Sequence, residues 1–70
     1  MDTKTKIKIA MVRRGENIAY LAEQLDKSHS NMSKQLKNCD FRESDLRSIA
    51  NALDCDLKIS FVMRDTGEEI

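Results

Sequence analysis

NIAYLAEQLDKSHSNMSKQLK, residues 17–37, holds two short amphipathic runs joined by a turn of three or four residues. In the first run Ile18, Leu21, Ala22 and Leu25 recur at i, i+3, i+4 and i+7, the stripe of a helix with one buried face. Asn17 stands at the N-cap position, just after Gly15. The second run opens with Ser28, another N-cap type, and carries Met32 and Leu36 four apart. Its other residues are Ser28, His29, Ser30, Asn31, Ser33, Lys34, Gln35 and Lys37. This helix is short, almost wholly polar, free of acidic residues and rich in side chains that both donate and accept hydrogen bonds. Such a face suits base edges and phosphates better than plain water. The pair reads as a helix-turn-helix, with residues 28–37 as the recognition helix.

At these residues the chain resembles a known family. Leu21-Ala22, Leu25, Ser28, Ser30, Met32 and Ser33 follow the L-A-x-x-L-x-x-S-x-S-x-[IVLM]-S pattern of the Cro/CI-like (Xre) repressors of phages and bacteria. The resemblance extends upstream through Arg14-Gly15 and downstream through FRESDLRSIANALDC, covering roughly residues 5–56. It implies that small Ala22 lets the two helices cross closely and that Met32 plugs the corner between them. The family usually carries Gly where the first helix of the pair ends in a left-handed conformation, and Asp26 stands there in this chain. Asp tolerates positive φ better than most residues, at a cost on the order of 1 kcal/mol.

Working outward, residues 4–14 read as a first helix on the stripe Ile7, Ala10, Met11 and Arg14, with Gly15 as its stop. Arg13 and Arg14 lie in the last turn, where the helix end favours positive charge. The run Lys6-Ile7-Lys8-Ile9 also alternates like a strand, but Met11 and Val12 continue past the alternation and favour the helix. After a turn at residues 38–40, Phe41 is the expected anchor beneath the loop. A fourth helix is expected over about 42–54, with Leu46, Ile49, Ala50 and Leu53 inward and Glu43 and Asp45 in its first turn. From Leu57 to Met63 the period changes to two, which predicts a strand. A lone strand needs a partner, and its open edge suggests pairing with the same strand of a second protomer across a two-fold axis.

Seventy residues make a single domain near the lower limit for a self-sufficient core. Only Tyr20, Phe41 and Phe61 are aromatic, so the expected core is thin and aliphatic. No stretch is long and apolar enough for a membrane span, and the start MDTKTKIKIAM is too charged for a signal peptide, so a cytoplasmic location is expected. Cys39 and Cys55 lack metal-ligand spacing, so no metal and no cofactor is expected; both are read as small hydrophobes in a reducing compartment. His29 and Cys39 have no orienting acid or oxyanion loop, so the chain is not read as an enzyme.

The formal net charge is zero, but its distribution is uneven. Residues 1–38 hold eight basic against four acidic side chains, and residues 39–70 hold four against eight. A neutral total predicts weak non-specific DNA binding, so specific contacts must contribute much of the affinity. His29, Ser30 and Lys34 are the candidates for base edges; Ser28, Asn31, Ser33 and Lys37 suit phosphates or capping. Asn17 matches a family position that often touches phosphate, although capping and packing explain it without DNA. Tyr20 points away from the Leu21/Leu25 stripe, and its hydroxyl is a further phosphate candidate.

The expected fold is therefore mainly α, a lambda-repressor-like four-helix domain with a C-terminal β-strand. The expected function is a sequence-specific regulator of transcription, a repressor, that binds double-stranded DNA as a homodimer through the 57–63 strand. The alternative is an antitoxin that binds a protein partner through its acidic C-terminal half and also its own operator.

Overall fold

The computed structural model describes residues 2–70. It contains four helices in chain order: α1 (Thr3–Arg14), α2 (Ile18–Gln24), α3 (His29–Asn38) and α4 (Glu43–Ala52). Each begins where the chain supplies a cap. Asp2 accepts from the Thr5 N–H at 2.8 Å, Asn17 from Tyr20 at 2.9 Å, and Ser28 from Asn31 at 3.1 Å. At α4 the order is reversed: Asp45, in the first turn, accepts from the backbone N–H of the cap residue Arg42 at 3.1 Å.

The core is the meeting of the four apolar stripes. Ile7 and Met11 come from α1, Leu21 and Ala22 from α2, Met32 and Leu36 from α3, and Ile49 and Leu53 from α4 and its end. Leu21 and Met32 have no exposed surface. Ala10, Ile18, Leu25, Phe41, Leu46 and Ala52 are half-buried around this cluster, so Phe41 does anchor the loop. α2 packs against both α3 and α4, and the expected helix over Lys6–Ile9 replaces the rival strand.

All four helices end with a residue in the left-handed region, and only the first uses glycine. Gly15 (φ 67°), Asp26 (φ 55°), Cys39 (φ 50°) and Asp54 (φ 55°) take this role. In each case its own amide and the next one turn back onto the last turn. After α2, Asp26 donates to the Glu23 carbonyl at 3.2 Å and Lys27 to Ala22 at 2.8 Å; after α4, Cys55 donates to Ala50 at 2.8 Å. These bonds satisfy carbonyls that would otherwise be orphaned, which offsets the steric cost of positive φ at residues with a Cβ. Arg14 adds a further cap, donating from Nε to the Leu53 carbonyl and from Nη2 to the Asp54 carbonyl, both at 2.9 Å.

Two expectations need correction. Residues 57–63 do not form a strand: among the described residues the only β pairing is an isolated antiparallel bridge between Val62 and Glu69. The chain turns at 64–67, helped by Gly67 (φ 73°), and comes back on itself. Phe61 and Ile70 exchange both backbone bonds (3.2 and 2.8 Å), and Met63 donates to Glu68 at 2.8 Å. The alternation from Leu57 to Met63 is real, but no sheet lies beside it, and a strand exists only where a partner continues the ladder. Second, Cys39 and Cys55 are exposed, not small core hydrophobes, because each sits just beyond a helix end where the chain leaves the core.

The returning arm stands away from the helices. Every residue from Lys58 to Ile70 is exposed, and the radius of gyration is 13.5 Å. A compact domain of this length takes about 11 Å.

Asp26→Gly removes both the Cβ penalty and a negative charge from the C-terminal end of α2, where the helix dipole disfavours it. The substitution is expected to stabilise the fold by about 0.5–1 kcal/mol, raising the melting temperature by roughly 2–8 °C. Thermal denaturation followed by circular dichroism measures this directly.

Candidate nucleic-acid interface

The candidate residues lie on the α2–α3 pair and its caps. The connection of residues 25–28 is short because α2 stops at Gln24 and Ser28 already caps α3. Burial of Met32 and Leu36 then fixes the rotation of α3 about its axis. At 100° per residue, Ser30, Lys34 and Asn38 fall opposite that buried pair, with Lys37 and Ser33 toward one flank and Asn31 toward the other. Ser30, Asn31, Lys34, Lys37 and Asn38 are all exposed, and Ser33 is half-buried. His29 is exposed in the first turn, with its Nδ1 3.5 Å from the Ser33 hydroxyl.

Three candidates carry structural duties. The Ser28 hydroxyl and the Asn17 side chain each accept a capping bond, as the residue types require. The Tyr20 hydroxyl donates to the Ala52 carbonyl at 3.1 Å, tying α2 to the end of α4. The ring is half-buried against the core, so the side chain proposed to reach outward is turned inward instead. Its partner carbonyl belongs to the last turn of α4, a group with no helical partner of its own. Sequence spacing gave no view of that orphan acceptor.

A polar network at the edge of α3 was also hidden. Gln35 flanks the Met32/Leu36 stripe and is half-buried. Its Oε1 accepts from Lys27 Nζ at 2.7 Å, while its Nε2 donates to the Asp40 carbonyl and to Asp45 Oδ2, both at 3.1 Å. Lys27 Nζ also lies 3.6 Å from Asp45 Oδ1. A cation on one side of the amide and two acceptors on the other leave one orientation for the Gln35 group. A usable hint was present in the sequence: a glutamine beside an apolar stripe and an aspartate three residues after a helix start.

This network changes the charge distribution of the surface. Lys27 is matched by Asp45, whereas Lys34 and Lys37 form no ion pair among the described residues. α1 also carries Lys4, Lys6, Lys8 and Arg13 with no acidic residue within the helix, and Lys6 and Arg13 line a separate cleft with Cys55. A shallow cleft of about 280 Å³ runs beside α3, lined by Lys27, Asn31, Lys34, Gln35, Asn38 and Asp40. Of these, Lys27 and Gln35 are engaged with each other, while Asn31, Lys34 and Asn38 are exposed.

The chain matches no protein-family model, and no curated protein or solved structure matches it. None of the helices is long and apolar enough to cross a membrane among the described residues.

The Asp45 carboxyl is held below the usual carboxylate range, chiefly by the Arg42 N–H bond and then by the Lys27 charge, against an opposing push from partial burial. A depressed folded-state pKa contributes stability above the unfolded value, near 3.8, that is lost as pH falls through the folded value. Asp45→Asn is therefore expected to lower stability at neutral pH and to flatten the acid limb below about pH 4. Urea titrations at a series of pH values measure both effects.

Proposed function

We propose that the chain is a sequence-specific double-stranded DNA-binding regulator of transcription, a cytoplasmic repressor with a lambda-repressor-like helix-turn-helix. The observation that carries this reading is the division of α3. Met32 and Leu36 alone are buried, and they seat the helix on α2, while an acid-free face of serines, asparagines and lysines is left to solvent. A helix needed only for the core would have no reason to keep that composition. In the proposed mode α3 enters the major groove. Lys34, Ser30 and His29 reach base edges, and Lys37, Asn31, Ser33 and backbone amides at the start of α3 fix the register on phosphates.

We propose also that the regulator acts as a homodimer. The support is the exposed arm: Ile59, Phe61, Val62, Met63 and Ile70 are 43–74% exposed, more apolar surface than a free hairpin of this size is stable with. Phe61 and Met63 direct their amides into the hairpin, so the alternating Val62 amide faces the open edge, suited to pairing about a two-fold. Two copies would place their α3 helices about 34 Å apart, one turn of duplex. The second reading, an antitoxin, is favoured by the same arm, which combines these apolar groups with Asp65, Glu68 and Glu69 and could equally receive a basic protein.

Selection of bound duplexes from a random library, at near-physiological salt, tests the main reading. A two-fold-symmetric motif with half-sites one helical turn apart is expected; no enrichment by folded protein would move the assignment to the antitoxin. On the selected duplex, Lys34→Ala is expected to cost about 1–3 kcal/mol if the side chain reads a base. A loss spread evenly over all sequences, with a shallower salt dependence, would assign it to phosphate instead. Sedimentation at micromolar concentration is expected to give a dimer, and Phe61→Asp a monomer; a monomeric wild type removes the two-fold.

A further inference from the structure

We propose that Gln35 is a positioning residue for the DNA-reading face, and that Lys27 is an internal strut and not a phosphate contact. The inference rests on the DNA-binding reading above and deepens it.

Three observations carry it. First, one amide joins three segments: the 25–28 turn through Lys27, the loop after α3 through the Asp40 carbonyl, and the first turn of α4 through Asp45. Second, these bonds lie on the flank of α3 next to the Asn31–Lys34–Asn38 side of the cleft. The apolar pair Met32 and Leu36 sets which face of α3 turns to the core, along a single line of contact. Gln35 adds a lateral restraint beside that line, and a small rotation of α3 would displace Lys34 and the neighbouring Asn31. Third, the Lys27 ammonium is occupied by Gln35 Oε1 and Asp45, and its side chain is only 27% exposed. Swinging out to a phosphate would exchange the Asp45 carboxylate for another anion and give up the Gln35 bond.

The two parts separate in binding measurements on the full chain. Gln35→Met keeps length and charge but cannot hydrogen-bond. It is expected to weaken binding to the selected duplex on the order of tenfold, the size of one disturbed base contact. Binding to a random-sequence duplex is expected to stay unchanged, because phosphate attraction does not depend on that orientation. Lys27→Met is expected to leave the slope of log affinity against log salt as in the wild type, since no phosphate contact is lost. A slope shallower by about 0.9 marks Lys27 as a phosphate contact and overturns the strut assignment. Equal losses on both duplexes, or no loss on either, overturn the positioning role of Gln35.

A readout without DNA keeps the inference distinct from the functional reading. In the free protein, the two Gln35 side-chain amide protons are expected to show nuclear Overhauser contacts to the Arg42 amide region and slow exchange with water. Both are expected to vanish in Asp45→Ala. Rapid exchange in the wild type overturns the brace itself. Intact protection with no binding to any duplex overturns the DNA reading, and with it the role assigned to Gln35 in that reading.

Discussion

Everything on the candidate surface depends on the packing of α2 against α3. Leu21 and Met32 share the core there with no exposed surface, and the small Ala22 is buried with them. Added volume at Ala22 would drive the helices apart, since a close-packed contact has no slack to absorb it. The crossing also explains why α3 can be so polar. Two buried side chains and a capping serine hold it, so the other positions are released from any part in the core.

Around that crossing the molecule satisfies its helix ends with unusual economy of glycine. The sequence has two glycines, one of which ends α1, and Asp26, Cys39 and Asp54 serve at the other three ends. Each accepts a modest conformational cost so that the chain can reverse at once. Abrupt ends keep the connections short, and short connections keep α2, α3 and α4 in one rigid arrangement. Arg14 and Tyr20 reinforce it by donating to the carbonyls at the end of α4. The terminus of α4 is thus the place where α1 and α2 are tied to the rest of the fold.

The polar brace and the apolar arm differ in character. Lys27, Gln35 and Asp45 satisfy one another, and no buried side-chain polar atom is left without a partner among the described residues. The arm is the opposite case. Its hairpin satisfies some backbone groups but leaves Phe61 74% exposed and Ile70 70% exposed, far from the helical core. Local pairing of three returning residues with an extended run organises the backbone without burying the side chains that the run carries. Lys58 and Glu69 form an ion pair across it at 2.7 Å, exposed and therefore weakly stabilising.

The sequence by itself determined the four helices, the caps at Asn17 and Ser28, the stop at Gly15 and the residues of the core. Apolar spacing at three and four residues and capping at Asn17 and Ser28 are local signals, carried within one helical turn. The left-handed position of Asp26 was legible through the family pattern. The same alternation that marks a strand at 57–63 misled, because alternation records a preference for extended backbone and not the presence of a partner. Only the tertiary structure decided that this segment folds back on residues 68–70, that the Tyr20 hydroxyl is taken by α4, and that Lys27 turns inward to Gln35 and Asp45. Each of those outcomes joins groups from different elements. Sequence spacing cannot register them, since the distance between such groups is set by how whole helices pack.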